Sequence, residues 1–327
     1  MRQTILVTGG AGYIGSHVCK ALAEAGHQPV CFDTLEKGHE WAVRWGPLER
    51  GDIGDAVRLA DVLGRHRPSA VIHLAGYIEV GESMNQPERY LHNNADKSDV
   101  LIECALRHGV DRFVFSSSCA VYGLPQTDLL TESHRIAPLN PYAESKARVE
   151  RALAAAAGRG LRSVALRYFN ATGADADGAI GEAHHPETHL LPLAADAALG
   201  LGPAITLLGT DYPTPDGTGI RDFVHVSDLA DAHLRTLDWL QRASGGGLHE
   251  AFNLGSGTGY SARQVIAETS RLASHAVPHT VGARRPGDST KLVGDISKAG
   301  RELGWAPRRN LAIQIEDTLR WRRKMPR

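Results

Sequence analysis

The sequence predicts an α/β chain, built on a doubly wound parallel sheet and carrying a smaller, interleaved C-terminal lobe. Three observations predict it. Short apolar runs alternate with helical patterns from residue 3 to about residue 170. Three glycines, Gly9, Gly12 and Gly15, stand where the first apolar run meets the first helical pattern. After Asn170 the texture turns to long stretches of glycine, small and polar residues. Strand–helix alternation is the mark of a parallel sheet with helices on its faces, and loops longer than about fifteen residues are usually functional or disordered.

In chain order, the strand candidates are "QTILVTG", "QPVCFD", "SAVIHLAG", "RFVFSSS" and "RSVALRYFN". Each is short, apolar and rich in β-branched or aromatic residues, as strands buried on both faces should be. Between them lie the helical patterns "IGSHVCKALAEAG", "DAVRLADVLGRH" and "NNADKSDVLIECALRHG". The first and third end in glycine, which readily takes the left-handed cap conformation. Beyond Asn170, "ATGADADGAIGEAHHPETH" and "GTDYPTPDGTGIRD" read as long loops. "FVHVSDLADAHLRTLDWL" and "EAFNLGSG" restore a helix and a strand, "ARQVIAETSRLAS" is a further helix, and "LAIQIEDTLRWRRK" closes the chain. The expected division is 1–175, together with about 222–256, for the sheet domain and 176–327 for the smaller lobe.

Composition excludes several function classes. With 327 residues the chain is long enough for a large core and two lobes. Its 36 basic and 37 acidic residues are nearly balanced and ungrouped, which argues against nucleic acid as a partner. No apolar run approaches the ~20 residues of a membrane span. The opening "MRQTILVTGG" enters a strand pattern directly, without the apolar core of a secretory signal, so a cytoplasmic protein is expected. Cys19, Cys31, Cys104 and Cys119 are scattered and read as reduced thiols.

In "TILVTGGAGYIGSH" each glycine answers a physical demand. Gly9 permits a tight turn, Gly12 lets the backbone approach a pyrophosphate, and Gly15 lets the helix pack closely on the sheet. The helix N-terminus then offers free N–H groups and partial positive charge to phosphates, as in a Rossmann-type dinucleotide domain. Asp33 ends the second strand, twenty-one residues beyond Gly12. A carboxylate there accepts both ribose hydroxyls and repels a 2′-phosphate, which favours NAD over NADP even with Lys37 nearby.

"NPYAESK" places Tyr142 and Lys146 one turn apart on the same helix face, with Pro141 suited to the helix start. A free phenol titrates near pH ~10 and is a poor base at neutral pH. Adjacent positive charge, from the lysine and from a nicotinamide ring, is expected to bring it toward pH ~7, at roughly 4 kcal/mol of differential stabilisation. Ser116, Ser117 and Ser118 sit at the carboxyl end of a strand, where ligands bind in open α/β sheets. A hydroxyl there can hold a substrate oxygen and pass its proton to the phenolate.

These motifs, with "VGES", "LRYFNATGA", "DYPTPDGTGIRDFVHVSDLADAH", "FNLGSGTG", "RRPGD" and "LGW", span almost the whole chain. Together they resemble the extended short-chain dehydrogenase/reductases, and within them the 4-epimerases of UDP-glucose and UDP-galactose. The resemblance implies NAD as cofactor and a UDP-hexose as substrate, oxidised transiently to a 4-keto sugar and re-reduced on the opposite face. By it, Tyr142 is the base, Lys146 its electrostatic support and ribose anchor, and Ser118 the proton relay. Gly9, Gly12, Tyr13, Ile14, Gly15 and Asp33 match cofactor-holding positions, as do Asp52, Ile53, Leu74, Ala75, Gly76, Asn93, Ser116 and Phe169. Asn170, Leu190, Arg221, Arg285 and Asp288 match positions that hold the UDP. Planar guanidinium groups suit a diphosphate, although Arg221 and Arg285 could instead pair with Asp222 and Asp288.

Related dehydratases and decarboxylases usually carry a carboxylate just after the serine run. Cys119 and Ala120 stand there instead, which leaves oxidation and re-reduction. Ile78 and Thr34 depart from the lysine and asparagine common in relatives, and bear on how tightly NAD is retained. Leu292 occupies a position that limits the sugar pocket and leaves UDP-N-acetylglucosamine open, as UDP-xylose/UDP-arabinose and a sugar-nucleotide dehydrogenase also are. The family is commonly homodimeric, through helices around 95–107 and 142–157. The histidines of "EAHHPETH", His184, His185 and His189, have no cysteine or carboxylate at a recognised spacing, so no metal is expected.

Overall fold

The computed structural model describes residues 2–243, 245–284 and 289–326. Its centre is a seven-stranded sheet in the spatial order Leu248–Leu254, Arg162–Tyr168, Arg112–Ser118, Ala70–His73, Thr4–Thr8, Gln28–Asp33 and Leu48–Arg50. All six pairings are parallel. From the first strand the chain builds outward one way, then returns and builds the other way. The reversal lies between Thr4–Thr8 and Ala70–His73, where a crevice opens at the carboxyl ends of the strands.

Side chains alternate between the two faces of the sheet. Ile5, Val7, Ile72, Val114 and Val164 meet Val18 and Leu22 of helix Tyr13–Glu24, and Leu229, Leu237 and Leu240 of helix Val226–Arg242. Leu6, Val30, Val71, Phe113 and Phe115 meet Leu59 and Leu63 of helix Ala56–His66, Leu101 of helix Lys97–Arg107, and Val149 and Leu153 of helix Pro141–Ala156. The glycines expected as caps are Gly26 (φ +83°) and Gly109 (φ +73°). The strand Leu48–Arg50, three residues long with one buried, lacks the pattern that would announce it.

The C-terminal lobe has its own core, formed by Leu191, Ala194 and Ala195 of helix Leu190–Ala198, Val265 and Ile266 of helix Ala262–Ala273, and Ile315 and Leu319 of helix Leu311–Lys324. The first of these helices is not among those expected from sequence, being apolar on nearly all sides and without an amphipathic stripe. Strand Ile220–His225 pairs with Asn170–Thr172, Gly259–Ser261 and Lys291–Leu292 in a small sheet. The lobes are stitched by "LGW": Trp305 donates Nε1–H to the Asp228 carbonyl (2.8 Å), while the Asp228 carboxylate accepts from the Arg308 and Arg309 N–H groups (3.0 and 3.1 Å). All four cysteines are buried free thiols. Among the described residues no helix is long and apolar enough to cross a membrane.

Candidate active site

A cleft of about 850 Å³ runs along the strand ends, over the reversal point and into the small lobe. Every site residue expected from sequence and lying within the described residues lines it: the glycine loop with Tyr13 and Ile14, then Asp33, Asp52, Ile53, Leu74, Ala75, Gly76, Asn93, Ser116, Ser118, Tyr142, Lys146, Phe169, Asn170, Leu190 and Arg221. Arg285 and Asp288 lie outside the described residues.

Gly9 and Gly15 leave no space for side chains, and Gly12 leaves little. Gly9 has φ +73°, and a Cβ there would sit 2.6 Å from the Ala75 nitrogen; a Cβ on Gly15 would sit 2.0 Å from the Gly9 carbonyl oxygen. Gly12 is the N-cap of helix Tyr13–Glu24 and supplies no capping side chain. The first-turn N–H groups are therefore aimed past bare backbone, a cradle that fits a pyrophosphate. Asp33 accepts from the N–H groups of Ala11 (3.0 Å) and Leu35 (2.9 Å), yet burial keeps its pKa above the ordinary carboxylate value. Further along the cleft, Lys97 donates to Asp52 at 2.5 Å and to Asn93 Oδ1 at 3.3 Å. Asn93 belongs to a π-helical turn, His92–Asp96, that widens the helix where it faces the cleft.

Strand Arg112–Ser118 carries the serines to the cleft, and its Ser118 stands in register with Tyr168. The Ser118 hydroxyl accepts from the Ala120 N–H at 3.2 Å and lies close enough to the Tyr142 phenol to favour its ionised form. Ser117 turns away, donating to Glu150 at 2.5 Å. Asn140 caps helix Pro141–Ala156 through the Ala143 N–H (2.8 Å), and fixes Tyr142 in its first turn. Lys146 is buried, donates from Nζ to the Ser116 carbonyl at 2.8 Å, and stands 5.9 Å from the Tyr142 ring centre.

Without the nicotinamide charge on which the expectation also rests, the chain alone does not acidify the phenol. Burial pushes the Tyr142 phenol up to about 12, against the downward pull of the nearby Ser118 hydroxyl. Burial likewise lowers Lys146 to about 8, partly offset by Glu150. Within the chain alone, desolvation dominates both groups.

On the far side, Asn170 donates to the Asp222 carbonyl at 2.9 Å, and Arg221 to the Ile220 carbonyl at 2.9 Å. The Asp222 carboxylate accepts from Ser256 N and Oγ (2.6 and 2.7 Å), Gly257 N (3.1 Å) and Gly294 N (3.2 Å), so it holds loops together. Leu292 packs with Cys119 and Phe169, and Ile78 reaches the cleft half-exposed.

Sequence reasoning missed part of the wall. His39, Trp41, Thr206 and Leu207 line the cleft from segments without a motif, and Tyr212 does so from within "DYPTPDGTGIRD", where the sequence assigns it no role. The histidine run also behaves differently from expectation. His184 and His189 converge with Glu182 and Glu187, carboxylates of the same loop, while His185 stays outside that group. Burial disfavours the His189 cation, but Glu182 and Glu187 outweigh it and hold His189 up at about 9.

The chain is similar to known proteins along its length. Residues 5–255 match the NAD dependent epimerase/dehydratase family. A UDP-glucose 4-epimerase of Rhizobium meliloti (strain 1021) is 50% identical over 320 residues, covering 98% of this chain and 97% of that protein. The crystal structure of a UDP-glucose 4-epimerase from Brucella ovis in complex with NAD is 44% identical, covers 97% of each chain and superposes with a TM-score of 0.94. One from Bifidobacterium longum in complex with NAD+ and UDP is 34% identical, covers 99% of each chain and has a TM-score of 0.93.

Proposed function

The chain belongs to the NAD dependent epimerase/dehydratase family, and from that premise we propose that it interconverts UDP-galactose and UDP-glucose by inverting carbon 4 of the hexose. The observation that carries this reading is the meeting of Tyr142, Ser118 and Lys146 beside the glycine cradle, with Cys119 and Ala120 following the serines in place of a carboxylate. Bound NAD supplies a hydride acceptor for carbon 4 and returns the hydride to its opposite face, so it is recovered at each turnover.

The chain's own residues do the rest. Tyr142, as phenolate, takes the proton of the 4-hydroxyl, with Ser118 bridging the two oxygens; in the second half it gives that proton back. Lys146 adds positive charge beside the phenol and holds the cofactor ribose. Asp33 takes the other ribose, and the cradle of Gly9, Gly12 and Gly15 takes the pyrophosphate. Arg221, with Arg285, Asp288, Asn170 and Leu190, grips the UDP, while the hexose is held loosely. Between the two transfers the sugar is a 4-ketone that turns about its link to the nucleotide. A carboxylate after the serine run would supply an acid for elimination; cysteine and alanine do not.

In this reading residues 1–175 with about 222–256 hold the dinucleotide, and 176–327 hold the UDP-sugar. The protein works in the cytoplasm as a homodimer joined through helices Lys97–Arg107 and Pro141–Ala156, where the exposed Ala154 and Ala155 permit close approach. Incubation with UDP-galactose tests the activity: UDP-glucose should form without accumulation of NADH. NADH rising in step with product would make the protein a dehydrogenase. Parallel assays with UDP-N-acetylgalactosamine and UDP-arabinose identify the preferred sugar beside Leu292.

A further inference from the structure

We propose that Glu182, His184, Glu187 and His189 form a structural zinc site that fastens the loop before helix Leu190–Ala198. One ligand atom from each residue lies within 4.8 Å of those of the other three. The Nδ1 atom of His184 is 3.1 Å from Glu182 Oε1, His189 Nδ1 is closer still to the same oxygen, and His189 Nδ1 is 3.8 Å from Glu187 Oε1. Two imidazoles and two carboxylates carry a charge of −2 when the rings are neutral, which matches a divalent cation. Nitrogen and oxygen donors in a set of four suit tetrahedral zinc, whose bonds of about 2.0–2.1 Å set donor separations near ~3.3 Å, so the His189–Glu182 pair opens and the wider pairs close as the ion enters.

A second observation points to a cation. The Glu187 side chain is 8% exposed, yet its Oε2 has no hydrogen-bond partner among the described residues, and His184 Nδ1, although 3.1 Å from Glu182 Oε1, makes no aligned hydrogen bond to it. Buried polar atoms of this kind are nearly always satisfied by protein, water or an ion. Hydrogen bonding within the cluster accounts for Glu182 and His189 but leaves these two atoms over. A metal accepted by all four residues satisfies both.

The surroundings define the role. Four protein donors leave no open coordination position, so the ion is structural. Glu182 is anchored on its other side, its carbonyl accepting from Trp321 Nε1–H at 2.7 Å. Tyr13, in the first turn after the glycine loop, sets its ring edge-on to His184 at 6.3 Å and donates to the Gly173 carbonyl at 2.6 Å. The ion would therefore hold the cleft wall between the dinucleotide cradle and Leu190.

The test needs neither substrate nor activity, so it stands apart from the proposed reaction. Untagged full-length protein grown with zinc and desalted should contain about one zinc per chain by plasma mass spectrometry. Titration of chelator-stripped protein with zinc against a fluorescent indicator should give one site, weakened at least tenfold by His184→Ala and by Glu187→Gln but not by His185→Ala. Circular dichroism establishes that each variant is folded, and the wild-type stoichiometry decides if one is not. Wild-type protein with substoichiometric zinc, or folded variants that bind zinc as tightly as wild type, would overturn the assignment.

Discussion

The Nζ of Lys146 stands 5.9 Å from the centre of the Tyr142 ring, one helical turn away, and is tied at 2.8 Å to the Ser116 carbonyl. The phenol is held at about 12 with that ammonium already in place. Moving the phenol from about 12 to neutrality requires about 7 kcal/mol. A second positive charge must enter the site, and oxidised NAD carries one. Absorbance titration of wild type against Tyr142→Phe should place the phenol near 12 in cofactor-stripped protein and well below 10 with NAD+ bound. An unchanged value on adding NAD+ would leave the base without its activation. Tyr142→Phe should lower turnover by ~10²–10⁴.

Lys146 is kept for function at a cost to stability. Its pKa is lowered to about 8 in the fold, against an ordinary 10.5 in the unfolded chain. Below pH 8 both states are protonated and the folded state bears the full penalty, roughly 3 kcal/mol. Between pH 8 and 10.5 the unfolded chain binds more protons, so stability rises with pH. Lys146→Met in cofactor-stripped protein should therefore unfold later than wild type at pH 7, with the advantage shrinking toward pH 10.5. The same variant should turn over at least tenfold more slowly and retain NAD less well. Denaturant midpoints with a pH-independent gap would contradict this.

Beneath the serines, Arg167 and Glu150 form a buried bidentate pair, Nε–Oε1 3.0 Å and Nη2–Oε2 2.6 Å, which Ser117 also joins. It ties the strand before Phe169 to the helix that carries Tyr142. Removing one partner strands a buried charge, so Arg167→Met should cost about 3–5 kcal/mol. The double variant Arg167→Met/Glu150→Leu should recover much of that loss in urea melts. If the losses of the two single variants simply added, the pair would not act as a unit.

Gly15→Ala puts a methyl 2.0 Å from the Gly9 carbonyl oxygen, and backbone must move to admit it. Purified Gly15→Ala protein should carry at least tenfold less NAD than wild type by released-cofactor fluorescence. Gly64→Ala, a helix position with open space around it, serves as the matched control and should retain NAD normally.

Much of this was legible in the chain. The sheet domain declares itself because doubly buried strands must be apolar runs and their helices must cap, so "TILVTGG" and "RFVFSSS" give both place and polarity. The cleft residues sit at strand ends, where the fold forces ligands. Three things were hidden. Helix Leu190–Ala198 has no amphipathic period because helices Ala262–Ala273 and Leu311–Lys324 and strand Ile205–Leu208 pack around it. The pKa of Tyr142 depends on burial, which spacing does not reveal. Glu182 and Glu187 flank the histidines at irregular intervals, and only the turn of the loop brings the four groups together.

The most direct measurement is the fate of the hydrogen on carbon 4. UDP-galactose deuterated at that carbon, turned over in ordinary water, should give UDP-glucose with the deuterium still on carbon 4 and no NADH left over. Loss of the deuterium to solvent, or one NADH formed per product, would contradict an oxidation that is reversed on the opposite face.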